Sequence, residues 1–167
     1  MDQWLLDPEV IHLNHGSFGA CPKTVLDVQQ SWRQTMERNP VLFFSKRLQP
    51  ALDAARKALG AFVGADPAGL VFVSNATAGV NAVLRSMEPR LGPGDEILVT
   101  DHAYNACRNI VAVAAQRSGA ALVEVTVGFP VESAADVGAA LLGRISPATR
   151  LVMVDAVSSP TALVVPL

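Results

Sequence analysis

The chain has 167 residues, half of them hydrophobic and 17% charged, which fits one globular domain or slightly more and excludes disordered and collagen-like chains. Its net charge of -2 and isoelectric point near 5.9 argue against a dedicated binder of nucleic acid or acidic membranes. Its two cysteines, Cys21 and Cys107, form neither a CxxC pair nor a disulfide framework, so the cytoplasm is the expected location. No basic leader precedes an apolar run, and the longest notable apolar stretch, Ile110 to Ala115, falls far short of the roughly 20 residues of a membrane helix. The mean hydropathy of +0.32 therefore points to a well-buried core.

Residues 1–22 read as an irregular arm, dense in turn formers around Asn14-His15-Gly16-Ser17. A helix opens near Lys23, with Val25, Val28, Trp32 and Met36 on one face, and Asn39-Pro40 breaks it. A second helix covers roughly 46–63, with Leu48, Leu52, Ala55, Leu59, Phe62 and Val63 as its stripe and Gly64 as its stop. Leu70-Val71-Phe72-Val73 predicts a short buried strand. Helix 77–88, strand 96–99, helix 105–117, strand 120–125, helix 133–144 and strand 151–154 follow. That alternation predicts an α/β fold with a mainly parallel sheet.

In such sheets ligands sit beyond the carboxyl ends of strands, and three segments occupy that position. Ser74-Asn75-Ala76-Thr77-Ala78-Gly79 opens a helix and offers free N–H groups and a hydroxyl to an anion, or else plain N-capping. Thr100-Asp101-His102-Ala103-Tyr104-Asn105 delivers a histidine and the only tyrosine, two rings able to stack on a flat cofactor, or else a capped helix start. Asp155-Ala156-Val157-Ser158-Ser159-Pro160-Thr161 is a hydroxyl-rich turn. Neither a Walker pattern nor GxGxxG is present, and no metal-ligand cluster is expected. In the arm, Asn14 and His15 either face a site or form a surface turn.

These residues carry a resemblance. Leu13-Asn14-His15-Gly16-Ser17-Phe18-Gly19-Ala20-Cys21-Pro22 resembles the N-terminal signature of isopenicillin N epimerase-like proteins, within the class V aminotransferase and cysteine desulfurase group of pyridoxal-phosphate enzymes. Val73 to Thr77 is similar to the group's Ser-Gly-Ala-Thr phosphate turn, with Asn75 in place of the usual Gly. Thr100 to Tyr104 is similar to its ring-stacking strand end, and Val154 to Leu167 to the stretch that passes under the cofactor.

The resemblance implies a three-layer α/β sandwich, the large domain of a fold-type I pyridoxal-phosphate transferase, truncated. It implies an arm and first helix over 1–45 and the N-terminal part of the large domain over 46–167. Asn75, Ala76 and Thr77 would hold the cofactor phosphate, with His102 stacking on the ring or moving protons and Tyr104 its rival for stacking. Ser159 would lie near the phenolic oxygen, and Asn14 and His15 would face an amino-acid substrate.

The family's Schiff-base lysine and pyridine-binding aspartate lie beyond the segment the resemblance spans. None of Lys23, Lys46 and Lys57 matches that lysine, and Asp155 belongs to the end of a preceding strand. The implied parent is a homodimer performing epimerisation, C–S cleavage or transamination. Two other readings stand beside it: an inactive relic or incomplete gene product that keeps only the phosphate turn, and an unrelated small α/β binding domain. On the truncated reading, the apolar end at Leu167 leaves an exposed sheet edge and marginal solubility.

Overall fold

A computed structural model describes residues 3–165. The chain divides into two compact units, 1–71 and 72–167, and each is considered by itself.

The first unit is helical. The arm contains one short turn, α1 (His15–Phe18), which the irregular reading of 1–22 does not anticipate; the Asn14 side chain accepts from Ser17 N–H at 3.1 Å and caps it. Helix α2 (Lys23–Arg38) starts and stops where expected. Asn39 then accepts from Leu42 N–H and restarts the helix as α3 (Pro40–Leu42). A wider π turn (Phe43–Arg47) leads into α4 (Leu48–Val63). Phe43 is the buried aromatic, with Trp32 and Phe44 edge-on to it at 6.2 and 5.4 Å. Gly64 ends α4 in the left-handed conformation, φ 70°, which glycine adopts without steric cost. Gly60 is needed for another reason: a Cβ there would lie 2.7 Å from the Ala65 carbonyl oxygen.

The expected strand Leu70–Val73 does not form. Leu70 is extended, but no strand pairs with this segment among the described residues, and Val71 stands 80% exposed. An apolar run favours extended backbone, yet a strand exists only where a neighbour takes its N–H and C=O groups.

The second unit is α/β. Helix α5 (Ala76–Met87) precedes β1 (Glu96–Thr100), followed by α6 (Asn105–Ser118), β2 (Ala121–Val125), α7 (Ala134–Leu142) and β3 (Thr149–Met153). The sheet is parallel, in the order β2-β1-β3. β1 is central and almost wholly buried. Ile97 and Val99 share one core with Leu84 of α5 and Val111, Ala114 and Ala115 of α6, and Leu122, Leu151 and Met153 pack against it. Each fully buried aliphatic side chain contributes about 1.5–3 kcal/mol.

The register of β1 with β3 breaks after Glu96↔Thr149, because the next pair is Ile97↔Leu151. Arg150 is thus the extra residue of a bulge, and its guanidinium Nε donates to Asp95 at 2.8 Å. That bond, then the Gly92 N–H, holds the Asp95 carboxyl below its ordinary 3.8. A lowered folded value means that the stabilisation is present above about pH 4 and lost as pH falls through the folded value. Arg150→Gln is therefore expected to flatten the acid limb of a stability-versus-pH curve below pH 4, and to leave its slope near neutrality unchanged.

Candidate functional site

The order β2-β1-β3 reverses direction between β1 and β3, and in open parallel sheets a crevice forms beyond the carboxyl ends of strands at such a point. The segments after these two strands meet there. The Asp155 carboxylate, just past β3, accepts from Tyr104 N–H, just past β1, at 2.9 Å. Tyr104 is the N-cap of α6, so this carboxylate sits on the helix's positive end. The Tyr104 ring is 47% exposed.

The start of α5 offers donors of its own. Asn75 is extended and caps the helix, its side chain accepting from Ala78 N–H at 2.8 Å, while Gly79 N–H bonds the Asn75 carbonyl. Among the described residues, that leaves the N–H groups of Ala76 and Thr77 without acceptors. Two such donors at a helix start favour an anion, and the dipole alone contributes about 0.3–1 kcal/mol. Both readings of this turn hold together: Asn75 caps, and the two residues after it keep free donors.

The thiol of Cys107, in the first turn of α6, is buried. Burial pushes this thiol above its ordinary 9.0; the Asp155 carboxylate adds to the effect and the Thr77 hydroxyl opposes it. A buried, protonated thiol is a poor nucleophile. A thiol-specific alkylating agent near neutral pH is therefore expected to label exposed Cys21 first, leaving Cys107 unmodified until the chain is unfolded.

His102 lies differently from Tyr104. Its Nε2 is 2.8 Å from the Val127 carbonyl oxygen, and its Nδ1 is 2.9 Å from the Thr161 hydroxyl. The Phe129 ring stands 6.0 Å away, centroid to centroid. Ser159 is exposed at the tip of a turn whose flanking hydroxyls, Ser158 and Thr161, bond each other at 2.6 Å. Asn14 and His15 belong to the first unit: Asn14 caps α1, and His15 packs against His12 and Trp4 and accepts from Ala20 N–H at 3.4 Å.

Sequence reasoning missed Asp155 as the acceptor from Tyr104 N–H and Asp101 as the acceptor from Val127 N–H. It also missed Thr161 and the Val127 carbonyl as the partners of His102, with Ser158 bonded to Thr161. The hydroxyl density of 158–161 was the one visible signal. Among the described residues no group of acidic, histidine or cysteine side chains is arranged to hold a metal ion, and no helix is long and apolar enough to cross a membrane.

These donors fit a phosphate and an aromatic ring. All three lysines, Lys23, Lys46 and Lys57, belong to the first unit.

Comparison with known proteins gives the family. The family model for aminotransferase class-V matches residues 18–167. The chain is 38% identical to the isopenicillin N epimerase of Amycolatopsis lactamdurans over 99% of its own length and 42% of that protein's. It is 28% identical to the L-cysteine desulfhydrase of Arabidopsis thaliana, covering 94% of this chain and 37% of that one. The solved structure of a C-DES mutant with glycine covalently linked to its PLP cofactor superposes with a TM-score of 0.82 at 26% identity, over 93% of this chain and 40% of that chain. The chain thus spans about two fifths of the length of these relatives, and along that span it belongs to the class V aminotransferase family of pyridoxal-phosphate proteins.

Proposed function

We propose that this chain supplies the phosphate- and ring-binding part of a pyridoxal-phosphate enzyme acting on an amino acid by epimerisation, C–S cleavage or transamination. The observation that carries this reading is the pair of N–H groups at Ala76 and Thr77 left without acceptors among the described residues, together with the exposed Tyr104 ring at the start of α6.

Bound pyridoxal phosphate supplies an electron sink for a carbanion next to the substrate nitrogen. In this reading Ala76 and Thr77 hold the phosphate through their N–H groups and the Thr77 hydroxyl, and Asn75 keeps the turn in shape. The exposed Tyr104 ring is the stacking platform. Ser159 approaches the ring's phenolic oxygen, Asn14 and His15 serve the substrate side, and the working enzyme is a cytoplasmic homodimer. The lysine that such chemistry requires is not among residues 72–167, so no covalent step is assigned to them. The second reading is a chain that binds the phosphate without turnover.

Titration of the 167-residue chain with pyridoxal 5'-phosphate and with unphosphorylated pyridoxal tests the proposal. The phosphorylated compound is expected to bind more tightly, and Thr77→Ala to weaken it roughly tenfold through loss of one hydrogen bond to a charged group. Borohydride is expected to leave no pyridoxyl adduct on Lys23, Lys46 or Lys57. Equal affinity for the two compounds would remove the phosphate site, and an adduct accompanied by amino-acid turnover would overturn the non-catalytic reading.

A further inference from the structure

The ring of His102 is a hub. Three segments, one beyond each strand, converge on it. Asp101 and His102 follow β1, Val127 follows β2, and the turn 158–163 follows β3.

The donors and acceptors fix where the ring carries its proton. The Val127 carbonyl oxygen can only accept, so Nε2, 2.8 Å away, is the protonated nitrogen. Nδ1 then accepts from the Thr161 hydroxyl at 2.9 Å, and Thr161 in turn accepts from the Ser158 hydroxyl at 2.6 Å. Ser158 finally accepts from Leu163 N–H at 2.9 Å. Every donor in this chain has one acceptor, and Ser158 is buried, so no water is needed to complete it.

Asp101 completes the grip. Its carboxylate accepts from Val127 N–H at 3.0 Å, so adjacent residues hold both polar groups of one peptide position. The same carboxylate lies 3.7 Å from Nε2. With both ring nitrogens engaged inside the protein, His102 has no ring nitrogen to offer a ligand.

We infer that His102 is a positioning residue: as the Nε2–H tautomer it ties together the loops after β1, β2 and β3 and so sets the turn that carries Ser159, instead of stacking on a bound ring. The inference rests on contacts within the chain and does not depend on which ligand the site takes.

Two substitutions separate the roles. His102→Phe keeps a flat ring and loses both hydrogen bonds. His102→Gln loses the ring and keeps an N–H able to reach the Val127 carbonyl. In the ligand-free chain, amide exchange at Val127 and Leu163 is expected to speed up about tenfold or more in His102→Phe, since each lost bond frees a local opening. In His102→Gln, Val127 is expected to keep its protection. Pyridoxal 5'-phosphate is expected to bind His102→Gln more tightly than His102→Phe.

The reverse pattern, with His102→Phe protected and tightly binding and His102→Gln neither, would assign the ring to the ligand and overturn the inference. Should a variant fail to fold, nitrogen-15 spectra of the unsubstituted chain still decide: a pyridine-type Nδ1 and a pyrrole-type Nε2 support the hub, and the opposite tautomer sinks it. A chain that binds no pyridoxal 5'-phosphate counts against the proposed function alone, because tautomer and exchange are read without ligand.

Discussion

Ala76→Asp is expected to lower the affinity for pyridoxal 5'-phosphate by about a hundredfold while leaving the thermal midpoint of the chain unchanged or slightly raised. The two effects have opposite signs for one reason. Ala76 is the exposed first residue of α5, and its N–H is one of two without an acceptor among the described residues. A carboxylate there meets the positive end of the helix and stabilises it by about 0.3–1 kcal/mol. The same carboxylate stands where a doubly charged phosphate would sit. Repulsion between groups about 4 Å apart amounts to a few kcal/mol at the effective dielectric of a protein surface. Calorimetric titration and a melting curve on the same sample check both halves. A loss of affinity accompanied by a fall in midpoint would signal a damaged helix, and unchanged affinity would move the anion elsewhere.

Ile97→Ala is expected to destabilise the second unit by about 2–5 kcal/mol, the range for removing a large aliphatic side chain from a packed core. Ile97 is fully buried in the central strand and belongs to the cluster that joins the sheet to α5 and α6. Its loss opens a cavity between the elements that carry Thr77, Cys107 and Tyr104. Domains of this size are stable by about 5–15 kcal/mol, so one substitution removes a large share. Urea unfolding monitored by circular dichroism measures it. A change below about 0.5 kcal/mol, the scale of surface substitutions, would mean that the core lies elsewhere.

The elements that sequence alone reveals are those decided locally. The extent of α2, the inward face of α6, the left-handed stop at Gly64 and the apolar run of β1 each depend on neighbours a few residues away, and each stands where the pattern puts it. Leu70–Val73 shows the limit of that reasoning. Its composition suits a strand, but pairing depends on a partner that composition does not specify.

The site follows the same division. The turn proposed to hold the phosphate is legible because its small residues and the helix start are contiguous. The bonds that organise the sheet end are not contiguous: His102 reaches across 25 residues to Val127 and 59 to Thr161, and Asp155 across 51 to Tyr104. No local pattern encodes such distances. Two rings, His102 and Tyr104, are equal candidates in the sequence, and only their surroundings separate them.

The single extra residue in β3 acts as a phase shift. Side chains alternate along a strand, so one additional residue exchanges the two faces of everything after it. With Arg150 set aside in the bulge, Leu151 and Met153 point into the core, and Asp155, two residues further, keeps their parity and meets the start of α6. In an unshifted register Arg150 would stand opposite Ile97 and Val152 opposite Val99, and Leu151 and Met153 would leave the core. One irregularity at the entrance of a five-residue strand thus sets the handedness of the corner at its exit.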